Sequence, residues 1–207
     1  METDDEQVEK LKKWWQENGR SVVAGVIIGV GGLFGYRYWI DYQNQQAEQA
    51  SQYFDQMVEA MDASQNDGAI GHAESLLADF PGTDYAIMAR FALARIYIED
   101  GDFSKAGEQL QQVVGIADNQ PLGYIARKRL AAVQLQMSNL DQALSTLSVD
   151  FPEEFNAGIE ELKGDIYSEQ GNKVEAAEAY RRALLATPGP VDRQFVQQKL
   201  DDLGLTG

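Results

Sequence analysis

His72 is the only histidine in the chain, and cysteine is absent. Nucleophile–imidazole pairs, triads, and metal sites built on histidine or cysteine therefore lack their parts. Carboxylates are plentiful, 33 Asp and Glu against 17 Lys and Arg, for a formal net charge of −16. In that composition they read as solvated helix faces rather than as a paired general acid and base. Asp62-Ala-Ser-Gln-Asn-Asp-Gly68 opens like a calcium loop, but its glycine comes one residue late. Ala73 stands where a bidentate glutamate is needed. Gly29-Val-Gly-Gly-Leu-Phe-Gly35 looks like a phosphate-binding glycine loop, yet it lies inside an apolar run with no strand before it. The expectation is a chain with no catalytic residue, no metal and no cofactor, and so not an enzyme.

The residues left over are of kinds that bind. Ser21, Gly25 and Gly29 recur every four positions, as do Gly31 and Gly35. Such small-residue spacing clears a helix face for close approach by another membrane helix, although glycine is also common in membrane helices that pack on nothing. Further along, Met88, Phe91, Arg95 and Ile98 fall on one helical stripe, and Ile125, Lys128, Ala132 and Leu135 on the next, with Glu161, Asp165, Ser168 and Glu169 following. Lined up, these stripes make a groove that is apolar and slightly basic at one end and acidic at the other. The same spacing would equally place several of them in a core. Lys128 has no Asn or second Lys at the spacing of a peptide-carboxylate clamp, so that ligand is not expected.

The glycines belong to the run Ser21 to Ile40, whose first sixteen residues carry no charge. Twenty helical residues reach about 30 Å, the thickness of a bilayer's hydrocarbon core. Lys10, Lys12, Lys13 and Arg20 precede the run, and after Arg37 no Lys or Arg occurs until Arg90. Basic residues beside a span stay in the cytoplasm, which predicts a cytoplasmic N-terminus and an exported remainder. Trp14 and Trp15 on one side, and Tyr36, Tyr38, Trp39 and Tyr42 on the other, fit two interfacial aromatic belts. A cleaved signal peptide is disfavoured, because bulky residues stand where a small-residue cleavage site would be. The acidic excess, nearly all of it after residue 40, argues against nucleic acid.

The exported part carries a repeat. In residues 157–190, Gly164, Tyr167, Gly171, Ala176, Tyr180, Ala183 and Pro188 stand at the spacings of a tetratricopeptide repeat, which the segment resembles. Leu93, Ala94, Tyr97, Gly101, Ala106 and Leu110 repeat the scheme, and Leu130, Ala131, Asn139, Ala143 and Leu147 do so more loosely. Marker alanines of the second helices are read as Ala73, Ala106, Ala143 and Ala176, spaced 33, 37 and 33 residues apart, with a first turn at Asn66-Asp67-Gly68. The map is a cytoplasmic amphipathic segment 1–20, a transmembrane helix 21–40 and a helical stalk 41–63, whose Phe54, Met57 and Met61 can pack on the repeats. A tetratricopeptide-like domain 64–207 follows, closed by a capping helix at Val191 to Leu203. The fold class is all-α: one N-terminal transmembrane helix followed by an α-solenoid.

EQVEKLKKWWQENGRSVVAGVIIGVGGLFGYRYW, residues 6–39, resembles the opening of the YfgM family of bacterial inner-membrane proteins. The resemblance implies an ancillary subunit of the SecYEG translocon that works with a membrane-anchored periplasmic chaperone (PpiD-like) and helps pass exported client proteins to periplasmic chaperones. It also implies a cytoplasmic role in restraining a stress-response regulator through the N-terminal segment, and it brings no catalytic residues. The expected location is the bacterial inner membrane, single-pass, with the C-terminal domain in the periplasm. An envelope-assembly or division scaffold using the same repeats is the alternative reading.

Overall fold

A computed structural model describes residues 4–186 and 192–204, with side chains from Gln7 onward. Pro188 and Val191 lie outside the described residues. Every regular element among the described residues is helical: α1 (Asp4–Asp62), α2 (Asn66–Asp79), α3 (Asp84–Glu99), α4 (Phe103–Ile116), α5 (Pro121–Gln136), α6 (Leu140–Thr146), α7 (Glu153–Glu169), α8 (Lys173–Leu185) and α9 (Arg193–Asp202). The chain divides into two compact units, Met1–Ser51 and Gln52–Gly207.

The first unit is carried by α1. The cytoplasmic segment, the span and the helical stalk expected to continue from it all lie on α1. Large apolar side chains between Val23 and Phe34 are exposed, Ile28 at 74% and Phe34 at 72%. A helix satisfies its own backbone hydrogen bonds, so an uncovered apolar surface of this kind suits lipid. Aromatic pairs flank the run: Trp14 and Trp15 with ring centroids 6.4 Å apart, and Tyr36 stacked on Trp39 at 6.4 Å.

The second unit is a stack of helix pairs, and its repeat is fixed by the backbone. Ser64, Gly101, Ser138 and Gly171 all adopt the left-handed conformation, with φ of 57°, 78°, 58° and 76°. In each case the next residue's N–H reaches back five positions to a carbonyl: Gln65 to Ala60 at 2.8 Å, Asp102 to Tyr97 at 2.8 Å, Asn139 to Gln134 at 2.9 Å and Asn172 to Tyr167 at 2.9 Å. This double-bonded helix ending satisfies orphan carbonyls and redirects the chain into the second helix of the pair. Counted from these turns, the repeat lengths are 37, 37 and 33 residues.

That register corrects the first marker alanine. Ala106, Ala143 and Ala176 each lie five residues after the turn, and the residue at that place in the first copy is Ala69, not Ala73. The first turn is likewise at Ser64, because Asn66, Asp67 and Gly68 already belong to the first turn of α2. Ala69, Ala73, Ala106, Ala143 and Ala176 are all fully buried, so burial alone cannot tell the two candidates apart. A methyl at the marker position lets the paired helices approach closely.

Four apolar clusters follow one another along the stack. Met57, Ala60, Ala73, Leu76 and Leu93 join the end of α1 to α2 and α3, with Phe54 and Met61 packed against them. Leu110, Val113, Leu130 and Val133 fill the space among α3, α4 and α5. Ala143, Leu147, Ile159 and Ile166 do so for α5, α6 and α7. At the C-terminal end Val196 and Leu203 of the α9 region seal Ala176, Tyr180 and Ala183 of α8. Each fully buried aliphatic side chain contributes about 2 kcal/mol, and each cluster depends on the next pair to complete it.

The third copy is irregular for two visible reasons. Gln134 stands where Tyr97 and Tyr167 stand in their repeats; it is buried, and its Oε1 accepts a hydrogen bond from Thr146 at 2.8 Å. Helix α6 has only seven residues, and the chain then passes through Phe151 and Pro152. Phe151 packs on Tyr124 at 5.5 Å and Phe155 at 6.3 Å, an aromatic cluster bracing the start of α7.

Candidate protein-binding groove

The turn register places the predicted stripes in one frame. Met88, Phe91, Arg95 and Ile98 lie thirteen, ten, six and three residues before Gly101, and Ile125, Lys128, Ala132 and Leu135 lie at the same intervals before Ser138. Glu161, Asp165 and Ser168 hold the last three of these intervals before Gly171. The residues therefore repeat on one face of successive first helices.

Their environments differ. Met88 and Ile98 are exposed, at 43% and 39%, without a covering partner among the described residues. Arg95 reaches out and pairs with Glu99 at 2.8 Å. Phe91 is half-buried against the α3–α5 cluster, with the Arg129 guanidinium 5.0 Å from its ring centroid, so it belongs as much to the core as to the groove. Ile125 is half-buried. Lys128 is half-buried too, its Nζ lying across Gly158 so closely that a Cβ there would come within 2.4 Å. Leu135 packs against the α5–α7 cluster and borders a hollow of about 430 Å³ shared with Asp165, Ser168, Tyr180 and Lys199.

The acidic end is partly neutralised from within. Lys199 of α9 donates to Asp165 Oδ1 at 2.8 Å and to Glu161 Oε1 at 2.9 Å, while the Tyr180 hydroxyl donates to Asp165 at 2.8 Å. Burial, reinforced by the bond to Asp165, pushes the Tyr180 phenol well above its ordinary value. Burial acts against the Lys199 ammonium, but its two carboxylate partners outweigh that and raise it.

The same intervals continue into α1. Phe54, Val58 and Met61 stand ten, six and three residues before Ser64, so the end of α1 serves as the first helix of the first pair. Val58 is exposed, whereas Phe54 and Met61 are half-buried. Their spacing before a turn was readable, but the turn is marked by a serine rather than a glycine.

The small residues of α1 form a second candidate surface. At about 100° per residue, Ser21, Gly25, Gly29, Gly31, Gly32 and Gly35 all fall within one half of the helix circumference. Between Ser21 and Gly35, Ile28 is the only large side chain in that sector. A Cβ added at Gly25, Gly29, Gly31 or Gly35 would meet nothing within 4 Å. No group of three or more His, Cys, Asp or Glu residues among the described residues is arranged to hold a metal ion.

The successive stacked helix pairs define an α-solenoid. Residues 12–205 match the family described as tetratricopeptide repeat-like domain. Curated relatives named ancillary SecYEG translocon subunit include those of Haemophilus influenzae, 34% identical over 97% of each chain, and Escherichia coli strain K12, 32% identical over 99% of this chain and 98% of the relative. A third, from Aggregatibacter actinomycetemcomitans, is 29% identical over 97% of each. The chain belongs to this family, the YfgM family that residues 6–39 resemble. Among the described residues one helix is long and apolar enough to cross a bilayer, as suits a single-pass membrane protein.

Proposed function

We propose that the chain is a membrane-tethered, non-catalytic protein-binding module of the Sec translocon. The observation that carries this reading is the shared register of the first helices, on which Met88 and Ile98 stay exposed, in a family whose named members are ancillary translocon subunits. Exposed apolar groups aligned along a solenoid groove suit a polypeptide partner. The groove residues are Met88, Phe91, Arg95, Ile98, Ile125, Lys128 and Leu135, extended by Val58. Basic residues before the span and their absence until Arg90 support a cytoplasmic segment 1–20, a span 21–40, and a periplasmic stalk 41–63 and repeat domain 64–207.

In that arrangement the small-residue sector of the span packs against another transmembrane helix of the translocon. The groove holds a segment of a membrane-anchored periplasmic chaperone (PpiD-like) or of an exported client, and so helps pass clients onward. The cytoplasmic segment restrains a stress-response regulator. Detergent solubilisation and affinity purification of the full chain tests the reading. Recovery of SecYEG subunits, lost with Gly25→Leu, supports it; recovery of division or outer-membrane assembly proteins instead would replace it with a scaffold role.

A further inference from the structure

Acid is in large excess in this chain, yet Lys128 of the proposed groove and its neighbour Arg129, which rests on Phe91, leave it unused. Arg95, Lys105, Arg127, Lys163, Arg182 and Lys199 each pair with a carboxylate. Lys128 and Arg129 form no ion pair or hydrogen bond with a carboxylate among the described residues, although Arg127 beside them reaches Asp118 at 2.7 Å. Both are held in place: Lys128 lies across the Gly158 backbone, and Arg129 rests on the Phe91 ring. A stacked guanidinium keeps its N–H edge available, and an ammonium on a fixed stem is a preset donor. On the α3 side the groove offers exposed Met88 and Ile98, and further on Val58. On the α7 side it offers Glu161, Asp165 and Glu169, of which Lys199 engages only the first two.

This order of chemistry selects an occupant. We propose, building on the reading of the groove as the binding site, that it takes a polypeptide segment of a partner protein that carries carboxylates beside apolar side chains. The carboxylates meet Lys128 and Arg129, and the apolar residues lie toward Met88, Ile98 and Val58. The acidic α7 side repels the carboxylates, which fixes the direction in which the segment lies. Selection acts at contact range, since screening at physiological salt confines charge effects to about 8 Å and the domain as a whole repels acidic chains. A basic or purely apolar segment gains less from the same surface.

The test uses the full chain in lipid nanodiscs and three fluorescein-labelled amphipathic peptides, identical except for two central residues: Glu, Gln or Lys. The expected result is binding of the Glu peptide about tenfold tighter than the Gln peptide, with the Lys peptide weakest. Lys128→Gln with Arg129→Gln should bring the three affinities together; should the pair disturb helical content, Lys128→Gln alone should at least halve the preference. Met88→Asp should weaken all three. Equal binding of the three peptides by the unaltered chain overturns charge selection while leaving the groove reading intact, provided Met88→Asp still weakens them. Binding that Met88→Asp does not change, or no binding at all, overturns both.

Discussion

Gly164 and Tyr180 touch across the α7–α8 pair so closely that a Cβ on Gly164 would lie 2.4 Å from the tyrosine ring. The ring is buried, and its hydroxyl is anchored on Asp165, so it cannot swing away without breaking that bond. Gly164→Ala should therefore destabilise the repeat unit by about 1–3 kcal/mol through overpacking. Urea unfolding followed by circular dichroism measures this; a midpoint unchanged from the parent would mean that the pair has room to spare.

The turn after α7 asks for a different kind of glycine. Gly171 has φ of 76°, and a Cβ there would meet nothing within 4 Å, so only the backbone conformation opposes a side chain. Gly171→Ala should cost about 1 kcal/mol from the left-handed penalty alone. Ser138→Gly, at the matching turn, should cost less than Gly171→Ala or be stabilising, because it relieves strain already present. Equal losses at both sites would contradict the shared turn geometry.

Two ion clusters give the unit opposite pH limits. Burial pushes the Glu160 carboxyl up, but hydrogen bonds from Lys163 and Arg182 more than offset it and hold it below its ordinary value of 4.5. A depressed carboxylate stabilises the fold above its unfolded-state value, and that contribution fades as pH falls through the folded one. For Lys199 the sign reverses: its raised ammonium stabilises below the ordinary 10.5, and the contribution is lost as pH rises past the folded value. The stability gap between parent and Glu160→Gln should be flat near neutrality and close below pH 4.5. The gap to Lys199→Met should close only in strong alkali. Gaps that persist at those extremes would mean that the clusters do not contribute through charge.

Groove and core can be separated by mutation. Met88→Asp, at an exposed position, should weaken partner capture with helical content intact. Phe91→Asp should also lower the unfolding midpoint, because Phe91 is packed against the α3–α5 cluster. If Phe91→Asp leaves stability unchanged, the ring belongs to the groove alone.

The all-α solenoid and the span were legible because each rests on local pattern: an uncharged run of bilayer length, and Gly171, Ala176 and Tyr180 at fixed intervals. The first copy was misread by four residues. Ala69 and Ala73 both suit the marker position, and the Asn-Asp-Gly sequence after Ser64 imitates a turn while entering α2. The proposed groove was legible only as a helix face. Helical spacing placed Met88, Phe91, Arg95 and Ile98 on one face, but burial of Phe91 depends on α4 and α5, which the spacing does not contain. The capture of Glu161 and Asp165 by Lys199, more than thirty residues away, leaves no local trace. Phe54 and Met61 were legible as packing on the repeats, but their place with Val58 in the first helix of a pair was hidden, because that end of α1 looks, by composition, like a stalk.

In the proposed arrangement the chain binds proteins at the translocon, with its span in the membrane and its groove on the exported side. Site-specific photocrosslinking in intact membranes, from positions 25, 29, 88, 98 and 128, tests this most directly. The expected adducts are SecYEG subunits from 25 and 29, and a periplasmic chaperone or exported client from 88, 98 and 128. Adducts from 88 and 98 to cytoplasmic proteins, or adducts from every position only to division or outer-membrane assembly proteins, would contradict it.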